Sequence, residues 1–306
     1  MYHIYDCIIC DCIFTAAQNG HDKCLKTLIE AGSNINAVTV NGHTPLHYAA
    51  FNGSNACVKM LIEAGANLDI TDDYNYPPLH FAVFHGNDAC VKTLIEAGAN
   101  LNIANELWMT LHYAARNGHD ACLRMLIEAG SNINAVTVNG HTSLHYAARY
   151  GHDACVKTLI EAGSNINAVT NDGNTSLHFA ARNGHDACVK TLIEAGATIN
   201  IRDRWENTPL RLAVRYGYTA CVIVIIDKIL LERPLHPSEL CVVPQTSAEL
   251  GDVLRTTMRL YGPSEAAKIV AHMSADARDT LRTGALCLNM CDFPRDLVDS
   301  VLVQCV

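Results

Sequence analysis

A unit of 33 residues keeps returning in this chain, and it leaves few folds open. The stretch "NGHTPLHYAAFNGSNACVKMLIEAGANLDITDD" comes back as "NGHTSLHYAARYGHDACVKTLIEAGSNINAVTN" and as "DGNTSLHFAARNGHDACVKTLIEAGATINIRDR". In each copy a glycine turn separates two short apolar runs, the pattern of two helices folded back on each other. One such pair cannot bury its apolar faces alone, so the copies must stack and share a core.

The fixed positions have mechanical reasons. Thr44 and Pro45 suit the start of a first helix, with threonine as cap and proline at the first helical position. Asn41-Gly42, Asn139-Gly140 and Asp172-Gly173 are tight-turn dipeptides of a projecting finger. Cys24, Cys57, Cys90, Cys122, Cys155, Cys188 and Cys221 recur every 33 residues, with one step of 32. One cysteine per copy at a fixed place reads as a small core residue, not a ligand set.

The string T-P-L-H-x-A-A, the following G-H, the L-I-E-A-G end and the N-G or D-G turn together resemble ankyrin repeats. The likeness covers about residues 8–233: a degenerate first copy, then repeats starting near 41, 74, 106, 139, 172 and 205. It implies an all-α fold over residues 1–233, a slightly curved ankyrin-repeat solenoid of seven helix-turn-helix repeats with hairpin fingers and a groove. A small C-terminal helical region is expected over 234–306. The resemblance also implies that the rings of His47, His80, His112, His145 and His178 bridge backbone groups of neighbouring repeats. A metal ladder is disfavoured, because packed helices stand roughly 10 Å apart, too far for shared coordination.

In ankyrin folds the two positions after A-A line the groove, and there the copies differ. Here they hold Phe51 and Asn52, Phe84 and His85, Arg116 and Asn117, Arg149 and Tyr150, Arg182 and Asn183, Arg215 and Tyr216. Arginines about 10 Å apart in water repel by only about 0.4 kcal/mol, so such a column is easily kept. Tyr74, Tyr76, Trp108 and Trp205 fall at finger positions expected to be exposed, and large aromatics dominate interface hot spots. The target-binding candidates are therefore Phe51, Phe84, Arg116, Arg149, Tyr150, Arg182, Arg215, Tyr216 and those four finger aromatics. Tyr48, Phe81, Tyr113, Tyr146 and Phe179 read as helix-on-helix framework. The copy containing "NELWMTLHYAA" is one residue short, with Trp108 where glycine is expected, so its finger should be distorted.

Other classes find little support. A net charge of -9 argues against a nucleic-acid or anionic-membrane binder, and no run is apolar and long enough to span a bilayer. The N-terminal stretch lacks the basic start of a signal peptide. Cys7 and Cys10 form a C-x-x-C without a second pair at metal-site spacing. No nucleophile elbow, P-loop or H-E-x-x-H occurs, so neither an enzyme nor a cofactor is expected. Fourteen cysteines outside any disulfide pattern suit cytoplasm or nucleus, and the chain is expected to be a monomer.

The last repeat reads "TACVIVIIDKILLERP", with Ile223 and Val224 where an earlier copy has Lys190 and Thr191, and with Ile229 replacing the helix-ending glycine. Its helix should run to about Arg233, and its apolar end needs a cover that residues 238–306 can supply. A capping box at Thr246 and Glu249 and the period of Leu250, Val253, Leu254, Met258 and Tyr261 predict helices there.

The closing "CDFPRDLVDSVLVQCV" predicts one more helix, capped by Asp292, with Pro294 in its first turn. Phe293, Pro294, Asp296, Leu297, Val298, Val301 and Leu302 resemble the opening of an F-box, the motif that docks on the linker subunit of cullin–RING ubiquitin ligases. A full F-box has three helices and this chain stops within the first. Such truncated ends behind ankyrin arrays resemble the PRANC type of poxviruses and some algal-virus proteins, which would place the protein in a host cell. Burying the five large apolar side chains at about 1.5–3 kcal/mol each is on the scale of the about 4–15 kcal/mol cost of association. Leu286, Leu288 and Met290 are therefore expected to share the interface or fix the helix.

These features predict a ubiquitin-ligase adaptor. Its groove and fingers hold an unidentified target, while Phe293, Pro294, Leu297, Val298, Val301 and Leu302 hold the linker subunit. The alternative is a scaffold or sequestering protein whose last helices only cap the solenoid.

Overall fold

The computed structural model describes residues 12–103 and 110–232, with the isolated helical residues 257, 260, 268 and 269. The described residues contain fourteen helices and no strand. None of these helices is long and apolar enough to cross a membrane. The chain divides into two units, residues 1–171 and 172–306.

The first unit contains five helix pairs. They are α1 (Ile13–Gln18) with α2 (Asp22–Glu30), α3 (Pro45–Asn52) with α4 (Asn55–Glu63), and α5 (Pro78–Phe84) with α6 (Asp88–Glu96). Then come α7 (Thr110–Asn117) with α8 (Asp120–Glu128), and α9 (Ser143–Tyr150) with α10 (Asp153–Glu161). First helices pack on first helices and second on second, each pair against the next. The second unit holds α11 (Ser176–Asn183), α12 (Asp186–Glu194), α13 (Pro209–Arg215) and α14 (Thr219–Glu232), with α13 on α11 and α14 on α12.

The start of each first helix explains the sequence motif. Thr44 caps α3, its hydroxyl accepting the His47 N–H at 3.4 Å while the His47 ring accepts the Thr44 N–H at 2.9 Å. Thr142 with His145 and Thr175 with His178 repeat this reciprocal cap. Leu46, Ala49 and Ala50 of α3 and Cys57, Val58 and Leu61 of α4 are fully buried, and their counterparts repeat through both units. The alanines let neighbouring helices approach closely, and the leucines fill the space between pairs.

Repeats are also latched through the turn between their helices. His152 Nε2 donates to the Arg116 carbonyl at 2.9 Å, and His119 Nε2 donates to the Phe84 carbonyl at 3.1 Å. Gly118 makes room for the first latch: its φ is +77°, and a Cβ there would lie 2.5 Å from His152 Nδ1.

At the end of the array, α14 has fourteen residues where α12 has nine. Ile225, Ile226, Ile229 and Leu230 are buried, and Ile223 and Val224 are half-buried. Of the apolar end read from the sequence, Ile226 and Ile229 are thus buried, while Ile223 and Val224 keep part of their surface and Leu231 is exposed. The capping box expected at Thr246 and the helix expected over 292–306 lie outside the described residues.

Candidate functional site

The histidine column belongs to the frame. The Thr44 N–H can only donate, so His47 Nδ1 accepts; the Tyr76 carbonyl can only accept, so Nε2 carries the proton, at 3.0 Å. The same bond joins His112 to Ala135 and His145 to Ala168 in the first unit, and His178 to Asn207 in the second. Burial pushes His47 and His112 down to about 4, so both are neutral at pH 7. With one ring nitrogen accepting and the other donating, His47, His145 and His178 have no lone pair for a metal.

His80 departs from this pattern. Pro77 takes the capping place that threonine holds elsewhere, so no capping hydroxyl from its own helix start grips the ring. His80 Nδ1 instead lies 3.0 Å from Thr110 Oγ1, and burial lowers its pKa to about 3. Beside it opens a cleft of about 230 Å³ lined by Phe51, Tyr76, His80, Phe81, Phe84, His85 and Tyr113. Phe51 and Phe84, at the ends of α3 and α5, are 45% and 46% exposed. The rings meet edge to face: Phe51 with His85 at 4.3 Å, Phe84 with Tyr113 at 5.9 Å and Tyr76 with Tyr113 at 5.9 Å. The Tyr76 and Tyr113 hydroxyls bond each other at 2.8 Å. Burial, and then the nearby His119, lower the His85 pKa. The cleft is therefore apolar and uncharged at neutral pH.

One helical turn beyond Tyr113 on α7 stands Arg116. Its guanidinium lies 5.5 Å from the centre of the Tyr150 ring, and that of Arg149 lies 5.8 Å from the same ring. These three residues, with His141 and Tyr146, line a second, more polar cavity of about 250 Å³. Neighbouring arginines thus share an aromatic ring, which favours each by roughly 0.5–1 kcal/mol at exposed sites and offsets their repulsion. In the second unit Arg182 lies 5.5 Å from the Tyr216 ring, while Arg215 is exposed at the end of α13.

Two fingers differ from the rest. In two others a threonine closes the turn: Thr39 Oγ1 accepts the His43 N–H at 3.2 Å and Thr137 Oγ1 the His141 N–H at 3.1 Å. In the Tyr74 finger, Asp72 Oδ1 accepts from the N–H of Tyr74 at 3.0 Å and of Tyr76 at 2.8 Å. In the Trp205 finger, Asp203 Oδ1 accepts from the N–H of Trp205 at 2.9 Å and of Asn207 at 2.8 Å. Burial would raise the Asp203 pKa, but the bonds from Asn207 and Trp205 outweigh it and hold it low. Asn75 and Glu206 adopt φ of 66° and 60° where the other described fingers have Gly42, Gly140 and Gly173, so both carry backbone strain. These fingers present Tyr74, 73% exposed, and Trp205, 57% exposed with Arg204 5.4 Å from its ring centre.

Of the residues expected from sequence, Phe51 and Phe84 meet in one cleft, and Arg116, Arg149 and Tyr150 in the more polar cavity. Tyr76 is corrected: it is half-buried in the cleft wall, because its hydroxyl reaches Tyr113 and its backbone is pinned by Asp72. Phe81, Tyr113 and His80, read as framework, line the cleft, and His85 joins them. The Pro77-Pro78 pair, which removes the capping threonine, was the signal for this local difference. Trp108, Phe293, Pro294, Leu297, Val298, Val301 and Leu302 lie outside the described residues.

The family model of Ankyrin repeats (3 copies) matches residues 13–105, 102–170 and 162–233. The ankyrin repeat domain of human ASB11 is 32% identical with a TM-score of 0.65, the match covering 69% of this chain and 96% of that one. The ankyrin repeat domain of Bcl-3, described as a unique member of the IkappaB protein family, is 26% identical with a TM-score of 0.60. That match covers 68% of this chain and 96% of the Bcl-3 chain. No curated protein matches the chain. Reciprocal Thr–His caps, histidine bonds between repeats and paired helices over 13–232 agree with these matches, and the chain belongs to the ankyrin-repeat family.

Proposed function

We propose that this chain is a target-recruiting adaptor of a cullin–RING ubiquitin ligase. Ankyrin repeats are protein-interaction modules, and the coarse function is protein binding. The aromatic cleft beside Arg116 and Arg149 is the observation that carries the target-binding half: exposed Phe51 and Phe84 border a cavity able to take a partner's side chain. Tyr74 and Trp205 would add contacts from their fingers, and Arg182, Arg215 and Tyr216 from the second unit. The ligase half rests on the F-P-x-D-L-V-x-x-V-L string at residues 293–302. No chemistry would occur on this chain. It would raise the effective concentration of a target lysine near the ubiquitin-loading machinery. The likeness to ankyrin proteins of large DNA viruses would put this work in a host cell, in cytoplasm or nucleus.

A second reading draws on the buried Ile226, Ile229 and Leu230 of α14: the C-terminal helices serve only to cap the array, and the protein binds a target without recruiting a ligase. Capture of the purified linker subunit by the full chain and by a chain lacking residues 292–306 separates the two. Capture by the full chain alone, with both forms melting alike, supports the adaptor. Equal capture, or none, removes it. A truncated form that unfolds while the full chain captures nothing supports the cap.

A further inference from the structure

Taking the groove as the target-binding face, we infer that the cleft between Phe51, Phe84 and Tyr113 accepts one apolar side chain of an acidic peptide segment, whose carboxylates lie over Arg116 and Arg149. The size fits a single side chain. At about 230 Å³ the cleft falls below the roughly 300–1,000 Å³ of pockets that enclose drug-sized ligands. The wall is largely ring carbon: the Tyr76 and Tyr113 hydroxyls are taken up by each other, and His80 is engaged with Thr110. An aromatic or branched aliphatic side chain would lose water there without stranding the Tyr76 or Tyr113 hydroxyl or the His80 ring.

The sign of the neighbouring charge selects the rest of the peptide. An aromatic-lined cleft also suits an alkylammonium group. However, Arg116 follows Tyr113 by three residues on α7, a spacing of roughly 5–6 Å between Cβ atoms, and would repel it. Arg149 adds a second cation on the same Tyr150 ring. An extended peptide advances about 3.3 Å per residue, so carboxylates within three residues of the anchor would span the roughly 10 Å between neighbouring helices such as α7 and α9, which carry Arg116 and Arg149. The chain's net charge of -9 does not oppose this. With a Debye length of about 8 Å at physiological salt, the nearby arginines outweigh distant carboxylates.

The test is selection of random 12-residue peptides on the full chain. The best binder is then measured by fluorescence anisotropy against the native protein, F84S and R116E/R149E, all checked for unchanged thermal melting. The expected binders carry Leu, Ile, Phe or Trp with Asp or Glu within three positions. F84S should weaken them at least tenfold. R116E/R149E should do the same and abolish most of the loss of affinity between 50 and 300 mM salt. Binders that need Phe84 but carry lysine, or no acidic residue, would overturn the acidic class while leaving the groove as the binding face. Binders indifferent to both variants would overturn the groove reading as well, and failure to select any binder would overturn the inference.

Discussion

His47 Nε2–H donates to the carbonyl oxygen of Tyr76 at 3.0 Å, and Tyr76 in turn bonds Tyr113 through its hydroxyl at 2.8 Å. One hydrogen bond therefore both stacks two repeats and holds a wall of the aromatic cleft. The fold and the candidate site share their fixings, which is why neutral histidines matter to both.

That dependence sets a pH profile. Burial lowers His47 and His112 to about 4 and His80 to about 3, from an ordinary 6.5, and lowers His178 as well. The unfolded chain takes up protons below about 6.5 while the folded chain refuses them. Their stabilisation is thus complete above pH 6.5 and is lost as pH falls, with His47, His80 and His112 each giving about 1.4 kcal/mol per pH unit down toward pH 4. The urea midpoint should fall steeply between pH 6.5 and 5. A midpoint unchanged over that range would show that these rings are not buried neutral.

The cysteine column should be chemically silent. Burial raises the thiols of Cys57, Cys90 and Cys221 to about 11 and Cys155 to about 12. Cys122 is raised further, by burial and by its bond to Asp88 Oδ1 at 3.0 Å. At pH 8 a thiol with pKa 11 is about one part in a thousand thiolate, the reactive form. Iodoacetamide should leave these five unlabelled in the native chain and label them in urea, as mass spectrometry of tryptic peptides would show. Native labelling at any of them would contradict the packing.

Two repeats can be improved. The hydroxyls of Ser143 and Ser176 are buried without a partner at the first helical position, where α3 and α13 have Pro45 and Pro209. Thr142 and Thr175 before them are already extended, with ψ of 169° and 170°, as a residue preceding proline prefers. The first N–H of a helix has no intrahelical bond to lose. Ser143→Pro and Ser176→Pro should each stabilise by about 0.4–1 kcal/mol, with more from removing an unpaired hydroxyl. A lower melting temperature in either variant would refute this.

Much of the frame could be read from the chain itself, since a repeat states its own period and each motif residue has a local reason. Thr44, His47 and the buried cysteines sit where spacing put them. The site was harder to read. A period assigns one role to a whole column, yet exposure depends on the neighbouring copy: Tyr113, Tyr146 and Phe179 are buried, while Phe81 is only half-buried in the cleft. Tyr76 reads as a finger-tip residue until Asp72 turns the loop inward. Pairing of Arg116 and Arg149 on one Tyr150 ring needs distances that spacing does not supply.

The adaptor account turns on the residues at 293–302. Titrating purified linker subunit into the full chain by calorimetry, beside an L297E/L302E variant of equal melting temperature, measures what they do. The account predicts saturable one-to-one binding, on the order of micromolar, weakened at least tenfold in the variant. No binding, or equal binding by both proteins, would contradict it.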